Sequence, residues 1–368
     1  MRFIIVTIYD HNPNYGNRLQ NYATQEILRN LFAGENSVQT IDYTLYDRKT
    51  HIKKLCKYYF HKMTGYHLTS HKEYWKVEQA KVLAFDRFNK KYIDTIRCDR
   101  IENIPEADFY AVGSDQVWNP LWYHENPIKQ ELFLLSFTTP EKKICISPSV
   151  GISQMPDAWK DVFRRNWNSF NNISVREQAG AEIIEELTGK KASVQIDPTL
   201  MLTPNEWRQL ISKPTKYKKP YILTYFLGEI SDKVRNDIES IKKEKKLLVK
   251  HLTDKSDFDT YISDPGDFIN LVDQAAIIVT DSFHACVFSF LFEKPFLLYH
   301  REGGSNNMIS RIQTFFDTFD LNNHYAPLDI GCARDIFHID YSTGYQRLTV
   351  LRDKFYKELK KNLGEDKE

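Results

Sequence analysis

The sequence predicts an α/β protein of two doubly wound, Rossmann-like domains facing a cleft. Three observations carry that expectation. The 368 residues exceed what one hydrophobic core organises, so two domains are expected. Short β-rich runs alternate with segments of helical spacing, the pattern of a parallel sheet covered by helices. Several runs end in polar loops, and open α/β sheets bind ligands at the carboxyl ends of their strands.

Residues 3–8 form the first expected strand. Pro13 and Gly16 lie in the loop after it, and Leu19, Tyr22, Ala23, Ile27, Leu28 and Leu31 then recur at helical spacing. Residues 38–43 are the next strand. From about 46 to 100 the chain reads as a helical insertion rich in Lys, His and aromatic residues, with Val82, Phe85, Phe88 and Tyr92 on one stripe. A lid or a partner surface would suit it. Strands return at 109–112, 143–146, 173–176 and 193–196, with a helix over 178–187 between the last two. These elements make an N-terminal, acceptor-side domain over 1–202.

A new helix starts at Thr203-Pro204-Asn205-Glu206, which puts the domain boundary within 200–219. The second half repeats the alternation. Strands are expected at 221–227, 247–252, 276–280 and 296–299, with helices reaching Lys245 and covering 268–274 and 284–292. They make a C-terminal, donor-side domain over 203–350. A polar amphipathic helix over 353–363 follows, in a tail of residues 351–368 with the option of crossing back to the first domain.

Fifty basic and 49 acidic residues leave a net charge of +1, which excludes a chain-wide attraction to nucleic acid or anionic lipid. The Lys-rich runs 213–219 and 242–250 are solvated surface in the ordinary reading, with peripheral membrane contact as the alternative. Cys56, Cys98, Cys145, Cys286 and Cys332 show no CxxC spacing, so neither a disulfide framework nor a structural zinc site is expected. A reducing cytoplasm suits them. The apolar run at the N-terminus is too short for a signal peptide, and no stretch approaches the roughly 20 apolar residues that span a bilayer.

The clearest candidate site is Thr280-Asp281-Ser282-Phe283-His284, where a buried-type strand runs into a helix start. Unpaired backbone N–H groups and the helix dipole stabilise anions there. Arg301 follows the next strand, and Gly303 and Gly304 let a loop approach a phosphate closely. Ser282, Arg301, Gly303 and Gly304 are therefore donor-binding candidates. The bland alternative makes Asp281 or Ser282 a helix cap and the paired glycines a turn.

In the first half, Gly16, Asn17, Arg18 and Gln20 offer a tight backbone approach with amide and guanidinium donors, or else an ordinary turn and cap. Ser114, Asp115, Gln116, Trp118 and Asn119 combine hydroxyl-binding groups with a stacking plane, a mixture typical of carbohydrate sites. Trp118 packed inward, with Asp115 forming a turn, is the alternative. Arg176 ends a strand, where its fork suits a carboxylate or phosphate; Glu177 beside it is either its ion-pair partner or a first-turn helix residue. Asp197-Pro198-Thr199 reads as hinge architecture. Neither half holds a Walker loop or a GxGxxG after its first strand.

Over nearly its whole length the chain resembles the polysaccharide pyruvyl transferase family. The resemblance is carried, in order, by Tyr15-Gly16-Asn17-Arg18-Leu19-Gln20, Val112-Gly113-Ser114-Asp115-Gln116-Val117-Trp118-Asn119, Ser174-Val175-Arg176-Glu177, Ile196-Asp197-Pro198-Thr199 and Thr280-Asp281-Ser282-Phe283-His284. It implies a glycosyltransferase-B-like (GT-B-like) fold, phosphoenolpyruvate as donor and no further cofactor. It also implies transfer to two hydroxyls of a hexose in a surface glycan or its precursor, whether nucleotide-linked, lipid-linked or polymeric. By the same resemblance His284 is the donor-site histidine and Arg176 a basic partner of the donor anion.

One departure stands out: some members carry Arg two residues before the histidine, where this chain has Ser282. Arg301 is the expected replacement. Ketal formation is acid–base work near a dianion, so His284 is assigned as general acid or protonated clamp and Asp115 as the residue that orients or deprotonates the acceptor hydroxyl. A sugar-nucleotide-dependent GT-B glycosyltransferase is the rival enzyme class, and a non-catalytic glycan-binding protein the third.

Overall fold

A computed structural model of the chain describes residues 1–9, 12–33, 35–43, 69–123, 127–212, 214, 217–301, 309–326, 336–337 and 339–364. Its first sheet has the all-parallel order β3-β2-β1-β4-β5, from β1 (Arg2–Val6), β2 (Ser37–Asp42), β3 (Thr95–Arg97), β4 (Phe109–Val112) and β5 (Lys143–Cys145). A two-stranded parallel sheet follows, from β6 (Ser174–Val175) and β7 (Ser193–Val194). The last sheet, β11-β10-β8-β9, is again all parallel, from β8 (Tyr221–Tyr225), β9 (Leu248–His251), β10 (Ile277–Thr280) and β11 (Phe296–Leu298).

Side-chain alternation explains the layers. In the last sheet Ile222, Ile277, Val279 and Leu297 pack with Val234, Ile238 and Ile241 of the helix Asp232–Lys245. Leu223, Ile278, Phe296 and Leu298 point to the opposite face and join the core that runs through both halves, as a period of two requires. Between the halves Tyr15 stacks on Phe268 at 4.9 Å between centroids, meets Tyr225 edge-on at 5.5 Å, and donates its hydroxyl to the Ser263 carbonyl.

Each large sheet reverses direction next to its first strand. The chain leaves β1 for β2 on one side and later adds β4 on the other; β8 is flanked in the same way by β9 and β10. Such switch points leave a crevice beyond the strand ends. The two crevices face each other, and their loops hold most of the residues singled out above.

Three regions differ from the sequence reading. The expected insertion does not stay helical to residue 100: its described part is the helix Thr69–Tyr92, after which Thr95–Arg97 pairs with β2 as the sheet edge. Its earlier part, 46–68, lies outside the described residues, as do Gly303 and Gly304. The helix Ile309–Phe319 was not expected, although Ile309, Ile312, Phe316 and Phe319 have helical spacing. The final helix is longer, Ser342–Asn362; from it Arg352 donates to the carbonyls of Leu200 and Leu202, and Glu358 accepts from Gln195. No helix among the described residues is long and apolar enough to cross a membrane.

Candidate functional site

A cavity of about 360 Å³ lies where the two crevices meet. From the first half come Ile8, Asn17, Asp115 and Gln116; from the second come Tyr225, Ser282, His284, Arg301 and Arg311. Lys129 also reaches it, so cationic side chains outnumber the single carboxylate, Asp115, among the lining residues.

His284 is the second residue of the helix Phe283–Leu291, just beyond the end of β10. Its ring is packed so closely against Gly16 that a Cβ on that glycine would stand 2.0 Å from Nδ1. Gly16 thus makes room for the imidazole, which gives the glycine a role the sequence did not show. Nε2 is buried without a hydrogen-bond partner among the described residues, 3.9 Å from Asp197 Oδ2. Burial pulls the imidazole pKa down to about 4 against the opposing pull of Asp197, which favours the neutral ring near pH 7.

Asp197 is no mere hinge residue. Its Oδ2 accepts from Arg176 Nη1 at 2.6 Å and from Ser114 Oγ at 2.9 Å, and its Oδ1 accepts from the Thr199 N–H and hydroxyl. Burial pushes its pKa up, but Arg176, His284 and the Thr199 donors outweigh that push and hold it at about 2. The result is a buried chain from Arg176 through Asp197 toward His284. Sequence spacing gave no sign of it, because the three residues come from loops far apart in the chain.

Arg176 stands differently from its expected place. Its guanidinium lies over the Phe283 ring at 5.2 Å and opens on a separate small cavity of about 60 Å³, not on the main one. It bonds to Asp197, as does Ser114, which is fully buried. Glu177 is the N-cap residue of the helix Gln178–Thr188 and keeps its expected ion pair with Arg176, although its hydrogen bonds go elsewhere. One carboxylate oxygen accepts from Ser149 Oγ and from the N–H groups of Val150 and Gly151, which ties down the loop after β5. Arg176 Nε is 4.0 Å from the other oxygen.

Arg301 lines the cavity, where its Nε donates to Asp281 Oδ2 at 3.0 Å and its Nη2 to the Asp281 carbonyl. The Asp281 oxygens also accept from the N–H groups of Leu227 and Gly228, which fixes the loop after β8. Ser282 borders the cavity and is the N-cap residue, with no side-chain capping bond.

On the first half the acceptor-side candidates divide. Asp115 and Asn17 line the cavity and bond to each other at 2.8 Å, and Asn17 also donates to the Ile8 carbonyl. Gln116 lines it beside Arg311; because a guanidinium can only donate, the amide is oriented with its oxygen toward Arg311, at 2.6 and 3.3 Å from Nη2 and Nη1. The others turn away. Trp118 is fully buried, donates to the Phe133 carbonyl and packs on Trp167 and Phe170, so it offers no plane to a sugar. Gln20 is fully buried and donates to Thr7 Oγ1. Arg18 donates to the Asn17 side chain and lies over the Tyr9 ring, while Asn119 accepts from the Leu121 N–H as the cap of a short helical turn.

Parallel sheets in two halves, with opposed switch points around one cavity, define a GT-B-like protein. Solved structures agree on the fold. MnaA of S. aureus, solved with UDP, matches with a TM-score of 0.51 at 11% identity, over 100% of this chain and 98% of that one. A Listeria monocytogenes protein provisionally assigned as a UDP-N-acetylglucosamine 2-epimerase matches at 0.50 and 8% identity, over 99% and 97%. A comparison with curated proteins gives no match. The family model for polysaccharide pyruvyl transferase matches residues 14–299, and the chain belongs to that family.

Proposed function

We propose that the protein transfers the enolpyruvyl unit of phosphoenolpyruvate to two hydroxyls of a hexose in a surface polysaccharide or its precursor, forming a pyruvate ketal and releasing phosphate. One arrangement carries this reading: a buried imidazole, His284, in a cavity whose other ionisable groups are chiefly cationic. A small dianion fits that field, and its arrival draws the imidazole pKa upward, because opposite charge favours the protonated ring. Asp197, 3.9 Å from Nε2, favours the same form.

Protonated His284 then gives its proton to the enol methylene carbon. The adjoining carbon becomes oxocarbenium-like and is attacked by one sugar hydroxyl, whose proton passes to Asp115. The bond from that carbon to the phosphate oxygen breaks and phosphate leaves with the electron pair, stabilised by Arg301. The second hydroxyl closes the ketal. Of the two hydroxyl protons, one replaces that given by His284 and the other leaves on phosphate. The scheme needs no metal or organic cofactor. A cytoplasmic setting at the inner face of a membrane suits the scattered cysteines and the Lys-rich runs.

The test is a thermal-shift titration of the full chain with phosphoenolpyruvate and, separately, with nucleoside diphosphate sugars. Phosphate release over a panel of hexose acceptors follows, with the ketal methyl group detected by NMR. Stabilisation by phosphoenolpyruvate and a new methyl signal are expected. Stabilisation by a nucleotide sugar alone would make the protein a sugar-nucleotide-dependent glycosyltransferase instead.

A further inference from the structure

A buried tyrosine outside every motif of the sequence lines the same cavity as His284. We propose that Tyr225 is a further donor-binding residue, whose hydroxyl gives a hydrogen bond to the carboxylate of the donor. This rests on the transfer reaction proposed above.

Tyr225 is the last residue of β8 and stands opposite Thr280, the last residue of β10. It shares the face of Leu223, as a period of two requires, and joins the core that runs through both halves. There its ring meets Tyr15 at 5.5 Å and Phe268 at 6.0 Å, both edge-on, so the side chain is braced from two elements and is only 3% exposed. Thr280 Oγ1 donates to its carbonyl at 2.5 Å, while the phenol hydroxyl makes no hydrogen bond among the described residues.

That sets Tyr225 apart. Tyr15, Tyr110, Tyr123, Tyr221 and Tyr341 are buried too, and each donates its hydroxyl to a backbone carbonyl; buried Tyr299 donates to the Asp237 carboxylate. A buried phenol ordinarily finds such a partner. Tyr225 instead lines the cavity alongside Ser282, His284 and Arg301, where a ligand can supply the bond it lacks.

Burial and the Asp281 charge push its pKa up against the pull of Arg301, so it remains a neutral donor near pH 7. Neutrality suits the carboxylate. In the proposed reaction the carbon that bears this carboxylate gains positive charge, which the carboxylate stabilises only while its own charge is left in place. A guanidinium would cancel that charge, whereas a phenol holds the group and leaves it. Arg301 then serves the phosphoryl group, whose oxygens gain negative charge as it leaves.

Isothermal titration of the full chain, wild type and Tyr225→Phe, with phosphoenolpyruvate, vinyl phosphate and inorganic phosphate tests the assignment. Vinyl phosphate is the same enol phosphate without the carboxylate. Tyr225→Phe should bind phosphoenolpyruvate between about ten- and a hundredfold more weakly, the loss expected for a hydrogen bond to a charged group. Affinity for vinyl phosphate and for phosphate should change less than about threefold, since neither offers a carboxylate to the missing hydroxyl. The melting temperature should stay that of wild type, because no bond within the protein is lost. Unchanged phosphoenolpyruvate affinity overturns the assignment, as does an equal loss for vinyl phosphate, which would put the phosphoryl group on Tyr225. A clearly lowered melting temperature overturns it as well, by making the hydroxyl structural.

The two readings separate cleanly. A Tyr225-dependent preference for phosphoenolpyruvate over vinyl phosphate, without turnover on any acceptor, sinks the transfer reaction and leaves the carboxylate site standing. Transfer by the wild type, with phosphoenolpyruvate affinity intact in Tyr225→Phe, does the reverse. A wild-type chain that binds neither enol phosphate removes both.

Discussion

On the N-terminal rim of the cavity, Asn17, Arg18, Gln20 and Asn119 bond to groups of their own half. On the C-terminal rim, His284 keeps a buried Nε2 without a partner among the described residues, and Arg311 reaches across to the other half. The named donors of the first half are spent within that half, although the Gln20 amide oxygen has no partner among the described residues; the residue with a spare ring nitrogen, His284, lines the cavity. A buried polar group that lacks a bond is costly, and at such a place a ligand gains most by supplying one. The difference teaches that motif-dense loops can chiefly build the walls of a site, while sparser ones supply its chemistry.

The largest effect that tests this contrast comes from His284→Ala. Phosphate release should fall by about 10²- to 10⁴-fold, the usual contribution of a general acid, with the melting temperature unchanged. Turnover within tenfold of wild type would remove the imidazole from the reaction.

Asp197→Asn strikes the buried chain behind that rim. Leaving the Arg176 charge uncompensated should cost about 3–5 kcal/mol in a denaturant melt, alongside slower transfer. Slower transfer with intact stability would mean that Asp197 acts on the reaction alone.

Trp118→Ala tests the opposite rim. As a core residue it should lose about 3–5 kcal/mol of stability. A normal melt with a raised KM for the sugar would instead restore Trp118 as a stacking plane.

Gly16→Ala should cost about 1–3 kcal/mol and depress transfer, because the new methyl occupies the space of the imidazole. Full activity in that variant would show that the ring can move.

The most gradual effect is a pH slope. The unfolded imidazole takes a proton near its ordinary 6.5 and the folded one only at about 4. Stability is therefore complete above pH 6.5 and falls as the pH is lowered toward 4, by up to about 1.4 kcal/mol per unit. His284→Ala should flatten that part of the curve; an unaltered slope would assign it to other groups.

Much of the fold was legible in the sequence. The strand runs around Ile4, Tyr110, Leu223 and Val279 appear where their apolar, β-rich composition put them, since buried parallel strands need little beyond that composition. The edge strand Thr95–Arg97 was harder to read, being short and mostly exposed. Of the candidate site, the cavity positions of His284, Asp115, Asn17, Gln116, Ser282 and Arg301 agree with what strand ends and polar loops suggest. Trp118 and Gln20 do not, because a loop residue's type does not say which way its side chain turns.

The amino-acid order determined the alternation of strand and helix, the parallel sheets it demands and the loops where polar groups collect, because periodicity and turn chemistry act over a few residues. Only the tertiary structure brought Asp197 toward the imidazole of His284, set Gly16 against it, placed Arg176 behind Phe283 and aimed Arg311 with Gln116. Those contacts join segments up to 268 residues apart, from Gly16 to His284, and their distances follow from how whole sheets and helices pack.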